Sequence, residues 1–180
     1  MSGHSKWANI KRDKAVNDAK RSNMFTKLSR LISVAARQSG GDPDANPALR
    51  LAIEKAKRDG RMPKDTIDKA IARGAGRGAD ATSLEEITYE GFGPNGEAFY
   101  IKAITDNRNR TVAELRNIFS KAGGSLGGAG STAYIFSPDP ETPNFTIDIG
   151  TEEQYKKLEE LYDQLEDHDD VQQVYTNFDL

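Results

Sequence analysis

The chain has 180 residues, with 25 Lys and Arg against 28 Asp and Glu, a net charge of −3 and no cysteine. Without cysteine there is no disulfide framework, thiolate nucleophile or cysteine-ligated zinc. No stretch approaches the ~18–20 apolar residues of a membrane span and no signal-peptide apolar core opens the chain, so a soluble, cytoplasmic protein is expected.

The near-neutral total hides two opposite halves. Residues 1–80 carry 18 Lys and Arg against 9 Asp and Glu, net +9, whereas residues 81–180 carry 7 against 19, net −12. Such asymmetry points to a polyanionic partner for the basic half.

The basic half begins with GHSKWANIKRDKAVNDAKR, which places the only tryptophan, Trp7, among cations. Lys6, Lys11, Arg12, Lys14, Lys20 and Arg21 are candidate phosphate contacts. Trp7 either shares that surface or staples the stretch to the body, since a tryptophan buries a large area wherever it docks. Periodicity here is weak (Ile10, Val16, Ala19), so the stretch reads as a basic arm. From Met24 the spacing of Phe25, Leu28, Leu31, Ile32, Ala35 and Ala36 predicts a buried helical stripe, capped by Ser22 or Asn23 and stopped by Gly40-Gly41. Lys27, Arg30 and Arg37 fall on its other face and join the candidate nucleic-acid contacts. Asn46-Pro47 opens a second helix and Pro63 a third, ending at Gly60 and Gly74. A three-helix bundle with a basic arm follows, and GAGRGAD reads as the linker, giving domains of 1–78 and 79–180.

The acidic half reads as sheet and helices. Two strands flank the turn signal Pro94-Asn95-Gly96. Thr111 to Glu114 fits a capping box for a helix with Val112, Leu115, Ile118 and Phe119 inward. STAYIFS and the alternation Phe145, Ile147, Ile149 predict two further strands; Thr151 to Gln154 opens another helix and VQQVYTNF closes the set. Leaving out the first strand, the order β-α-β-β-α-β is the split βαβ, ferredoxin-like arrangement of an α+β sandwich.

No catalytic constellation emerges, so no enzyme, cofactor or metal site is expected. His4 and His168 lack a companion at ligand spacing, and the carboxylates from Glu152 to Asp170 read as a solvated helix face. GAGRG and GGSLGGAGS lack G-K-[ST] and the strand-to-helix context of a dinucleotide fingerprint, and read as flexible turns. Arg108 and Arg110, at a strand-to-helix junction, either pair with nearby carboxylates or form a second phosphate contact. No helix-turn-helix signature and no strand-borne aromatic pair of the RRM type is visible, which favours backbone and shape recognition.

The blocks GHSKWANIKRDKAVNDAKRSNMFTKLSR, MPKDTIDKAIARG, YEGFGPNG, TDNRNRTVAELRNIFSKAGGSLGGAGSTAYIF and DDVQQVYTNFDL together resemble the YebC/PmpR family. The resemblance implies a helical N-terminal domain, α+β lobes and DNA-binding transcriptional regulation. The family is also similar to translation factors, which implies as an alternative a ribosome- or RNA-associated factor relieving stalled proline-rich synthesis; apart from the resemblance, the acidic α+β domain offers a third reading, an adaptor that works through that surface. Asp13 departs from the family's usual basic residue, and only SPDPETPN, about residues 137–144, stands where relatives usually carry an additional lobe. A monomer binding DNA or ribosomal RNA, without a membrane partner, is the expectation.

Overall fold

Between His4 and Ser39 the sequence contains neither glycine nor proline, and a helix started there has nothing to stop it. In the computed structural model, which describes residues 3–77 and 83–180 apart from the side chains of residues 3–13, one helix, α1, runs Gly3–Ser39. Its 37 residues span about 55 Å. The stretch expected to be an arm is therefore the first part of the helix that carries Leu28 and Ile32. No cap interrupts it at Ser22 or Asn23; the Thr26 hydroxyl donates to the Ser22 carbonyl at 3.1 Å within the helix. Weak amphipathicity fits the described part of that segment, where Lys14 to Ser22 are all exposed.

The chain divides into two compact units, Met1–Thr82 and Ser83–Leu180. In the first, α2 (Pro47–Arg58) and α3 (Lys64–Gly74) pack on the second half of α1 around Leu28, Ile32, Leu49, Ala56, Ile67 and Ala70. Small residues set the spacing. A Cβ on Gly74 would lie 2.1 Å from the Ser33 carbonyl oxygen, so only glycine allows this approach of α3 to α1. The Ser33 hydroxyl donates to the Ala70 carbonyl at 2.8 Å across the same contact. Buried Asn46 joins two helix ends: its carbonyl oxygen accepts from Leu49 N at 3.0 Å, and its amide donates to Ala35 O and Gly40 O, each at 2.8 Å.

The second unit is α+β. Strands β1 (Glu85–Phe92), β2 (Ala98–Thr105), β3 (Ser125–Leu126) and β4 (Val171–Thr176) form an antiparallel sheet in the order β3-β1-β2-β4. Helices α4 (Arg108–Lys121) and α6 (Glu152–Glu166) share one core on one face, through Leu115, Phe119, Leu158, Leu161 and Leu165 against Phe99, Ile101 and Ala103. A split βαβ unit is present in β2-α4-β3, but the strand lying inside it is β1. The sequence pattern alone leaves β1 out of this unit and places residues 145–149 in the sheet.

Two expected strands are thus corrected. In STAYIFS, residues Ala133–Phe136 form a short helix, α5, and Ile135 and Phe136 pack with Ala98 and Tyr100 on the opposite sheet face. Among the described residues, 145–149 have no strand partner: Ile147 and Ile149 pack on the helix-side core, and Ile147 N donates to Asn177 O at 2.8 Å. Alternating apolar residues recorded one-sided burial, which here is met without a ladder. The first capping box also moves, because the N-cap of α4 is Asn107, accepting from Arg110 N at 3.1 Å, and Thr111 is buried inside the helix. Thr151 caps α6 as expected, accepting from Gln154 N.

Candidate nucleic-acid interface

On α1, the 3.6-residue period turns Lys27, Arg30 and Arg37 away from the stripe of Leu28, Ile32 and Ala35. All three already make interactions within the protein, and Lys27 and Arg30 are half-buried. Lys14 and Lys20 are exposed and form no ion pair with a described residue. The Arg21 guanidinium lies 5.3 Å from the centroid of the Phe25 ring, which positions its charge at the edge of the helical core. Lys6, Trp7, Lys11 and Arg12 fall on the backbone of α1, with side chains outside the described residues.

A second set of cations was not singled out from the sequence. Arg50 and Lys57 stand seven residues apart on one side of α2, and Lys64 opens α3. With Glu54 and Asp68 they edge a trough between α2 and α3, floored by Ile53, Ile67, Ile71 and Pro43, with a volume of about 320 Å³. None of the three cations forms an ion pair with a described residue. The spacing of Arg50 and Lys57 was visible in the sequence; bringing Lys64 beside them required the packing of α2 on α3.

The arginines of the sheet unit are used differently. Arg110 Nη2 donates to both oxygens of Asp170, at 2.9 and 3.1 Å, and to Asp106 at 3.0 Å. Asp170 is 1% exposed and also takes the Thr111 hydroxyl at 2.5 Å, while Thr111 stands 2.8 Å from the Thr105 hydroxyl. The hydrogen bonds from Arg110 to Asp170, opposed by partial burial, raise the guanidinium's affinity for its proton. Arg108 is exposed and lies 3.9 Å from Glu85. Arg110 is thus part of a carboxylate network that ties α4 to the start of β4.

Glu114, His168 and Asp170 place three ligand-type atoms within 4.8 Å of one another. Each is already partnered. His168 Nδ1 accepts from Asp170 N at 3.1 Å, so Nε2 carries the proton and donates to Glu114 at 2.9 Å. Asp170 is taken by Arg110 and Thr111.

The loop GGSLGGAGS is not a slack turn. Its Gly130 N, and the following Thr132 N and hydroxyl, donate to the buried Glu90 carboxylate at 2.5–2.6 Å. Burial pushes that carboxyl up, but these three donors outweigh it and hold it below its ordinary range. The amides that a phosphate loop would offer to a ligand are satisfied here by the protein's own anion. Glu97, fully buried beside the β1–β2 turn, follows the same pattern: burial raises it, and donors from Gln154 and Asn95 hold it lower.

Comparison with known proteins now places the molecule. Residues 5–77 match the TACO1/YebC protein N-terminal domain, and residues 84–139 and 141–178 match the TACO1/YebC second and third domain. The chain belongs to the TACO1/YebC family. A probable transcriptional regulatory protein of Persephonella marina is 40% identical, covering all of this chain and 96% of the relative. One from Halothermothrix orenii is 38% identical over all of this chain and 96% of the relative. The Persephonella alignment extends over 243 positions, so at least 63 have no counterpart among the 180 residues here. The crystal structure of a conserved hypothetical protein from Aquifex aeolicus, 34% identical, superposes with a TM-score of 0.82 over 90% of this chain and 91% of that one. Family membership supports a regulatory role. No helix among the described residues is long and apolar enough to cross a membrane.

Proposed function

We propose that this protein is a non-enzymatic, DNA-binding transcriptional regulator whose helical unit makes the contact. The observation that carries the reading is the contrast in how cations are used. In α1 Lys14 and Lys20 form no ion pair with a described residue, whereas Arg110 of the sheet unit is held by three carboxylates, Asp106, Glu114 and Asp170. Unneutralised cations on a helix with a net +9 surrounding region meet the requirement for displacing counterions from a polyanion. α1 carries Lys6, Lys11, Arg12, Lys14, Lys20 and Arg21 on one continuous helix, within about 22 Å along its axis.

The test is the salt dependence of duplex DNA binding by the full chain. Replacing Lys14→Ala with Lys20→Ala should flatten the slope of log affinity against log salt by about 1.8, at about 0.9 per phosphate contact. An unchanged slope and affinity in that variant would remove α1 from the interface.

A further inference from the structure

The trough between α2 and α3 combines features that a simple phosphate-binding surface does not need. Its floor is apolar, formed by Ile53, Ile67 and Ile71 with Pro43, and its volume of about 320 Å³ lies at the lower end of the range for small-ligand sites. The trough continues past Pro43 and Ile71 toward Ala75 and Arg77. On its edges stand Arg50, Lys57 and Lys64, and between them Glu54 and Asp68, with no ion pair joining the two signs. Arg50 and Glu54, and likewise Lys64 and Asp68, are four residues apart on one helix, a spacing that allows pairing. Both signs are nonetheless left available.

We propose that this trough binds an unpaired stretch of nucleic acid, with bases on the isoleucine floor and phosphates on Arg50, Lys57 and Lys64. The inference rests on the nucleic-acid reading above and deepens it. Charge complementarity selects the occupant. An acidic peptide would satisfy the cations and be repelled by Glu54 and Asp68. A nucleotide strand satisfies both, because its phosphates are anionic while the amino groups of adenine, cytosine and guanine donate to carboxylates. A flat base also uses the apolar floor, as bases removed from a stack do when held between apolar side chains. In a duplex the base faces are stacked on one another and cannot reach that floor, so the trough distinguishes single strands from duplexes.

The experiment titrates the full chain with a short single-stranded oligonucleotide, and with the duplex of the same sequence, across a salt series. Lys57→Ala with Lys64→Ala should flatten the single-strand slope by about 1.4, at about 0.7 per contact, and leave the duplex slope nearly unchanged. Lys55→Ala with Lys69→Ala removes the same charge from the same helices outside the trough and should leave both slopes unchanged. Equal flattening by the two pairs would overturn the trough as the site, and equal flattening on both nucleic acids would overturn its preference for unpaired bases. If the trough pair changes nothing while the α1 pair, Lys14→Ala with Lys20→Ala, weakens duplex binding, the trough proposal falls and the nucleic-acid reading stands. If the chain binds neither oligonucleotide, both fall together. Thermal melts of each variant, expected to match the parent, separate a lost contact from a lost fold.

Discussion

Lys57 of the helical unit and Arg110 of the sheet unit are both cations on amphipathic helices, each within reach of acidic neighbours. Lys57 forms no ion pair with a described residue, while Arg110 spans Asp106 and the buried Asp170. The two units also differ in what holds them together. The helical unit relies on small residues that let backbones approach, as at Gly74 against Ser33. The sheet unit encloses carboxylates, Glu90, Glu97 and Asp170, each supplied with donors. A cation in such a network is committed to stability, and a cation outside one is available for binding. Residue type and overall charge do not make that distinction; pairing does.

The comparison is sharpened most by Arg110→Ala. Removing the guanidinium leaves the Asp170 carboxylate buried without its countercharge, and the loss should be about 3 kcal/mol, the low end for a broken buried pair because Arg110 is itself 39% exposed. Chemical denaturation should show this loss, and DNA titration should show affinity unchanged. Retained stability with lost affinity would reverse the roles assigned to the two units.

Gly74→Ala tests the helical unit in its own terms. The added methyl meets backbone, which cannot rotate away, so a destabilisation of about 2–3 kcal/mol is expected from overpacking. A melt within error of the parent would show that α3 has room to shift.

A smaller effect, about 1–2 kcal/mol, is expected for Glu90→Gln, which keeps the shape of the side chain but loses charge-assisted bonds from Thr132 and Gly130. This variant also predicts a pH dependence. Glu90 and Glu97 are held below the ordinary carboxyl range in the folded chain. Their contribution is therefore present above the unfolded value of about 4.3 and is lost as pH falls through the lower folded values. Stability measured from neutral pH downward should fall in that acidic window, less steeply in Glu90→Gln. An identical slope would mean that Glu90 does not carry the dependence.

The smallest change should come from Lys57→Ala, within about 0.5 kcal/mol of the parent stability, as for a surface cation without a partner. A larger loss would place Lys57 in an intramolecular role and blur the distinction between the units.

Much of the framework was legible along the chain. The stripes of Leu28 and Ile32, of Leu115 and Phe119, and of Leu158, Leu161 and Leu165 are local periodicities, and they placed the helices. Asn46-Pro47 and Thr151 marked helix starts because capping acts within a few residues. The errors share a physical cause. Residues 145–149 alternate as a strand does, but strand formation requires a neighbouring backbone, and β1 had taken that place in the sheet. Residues 133–136 are β-prone by composition, yet the preceding loop closes on Glu90, forty residues or more away in sequence, and the chain turns there as α5. Among candidate contacts, the cations of α1 could be read from their density; the trough could not.

By itself the sequence determined the division of charge, the helical character of the basic half, the mixed character of the acidic half and the family. These depend on composition, short-range periodicity and ordered motifs, all of which act over neighbouring residues. Tertiary structure decided which charges are committed. Asp170 lies 60 residues from Arg110 and Glu90 lies 42 from Thr132, and only the folded sheet brings each pair within hydrogen-bond distance. The same holds for Lys57 and Lys64, which edge one trough because α2 and α3 pack on α1. Charge is a property of the residue; its availability depends on which groups folding places beside it.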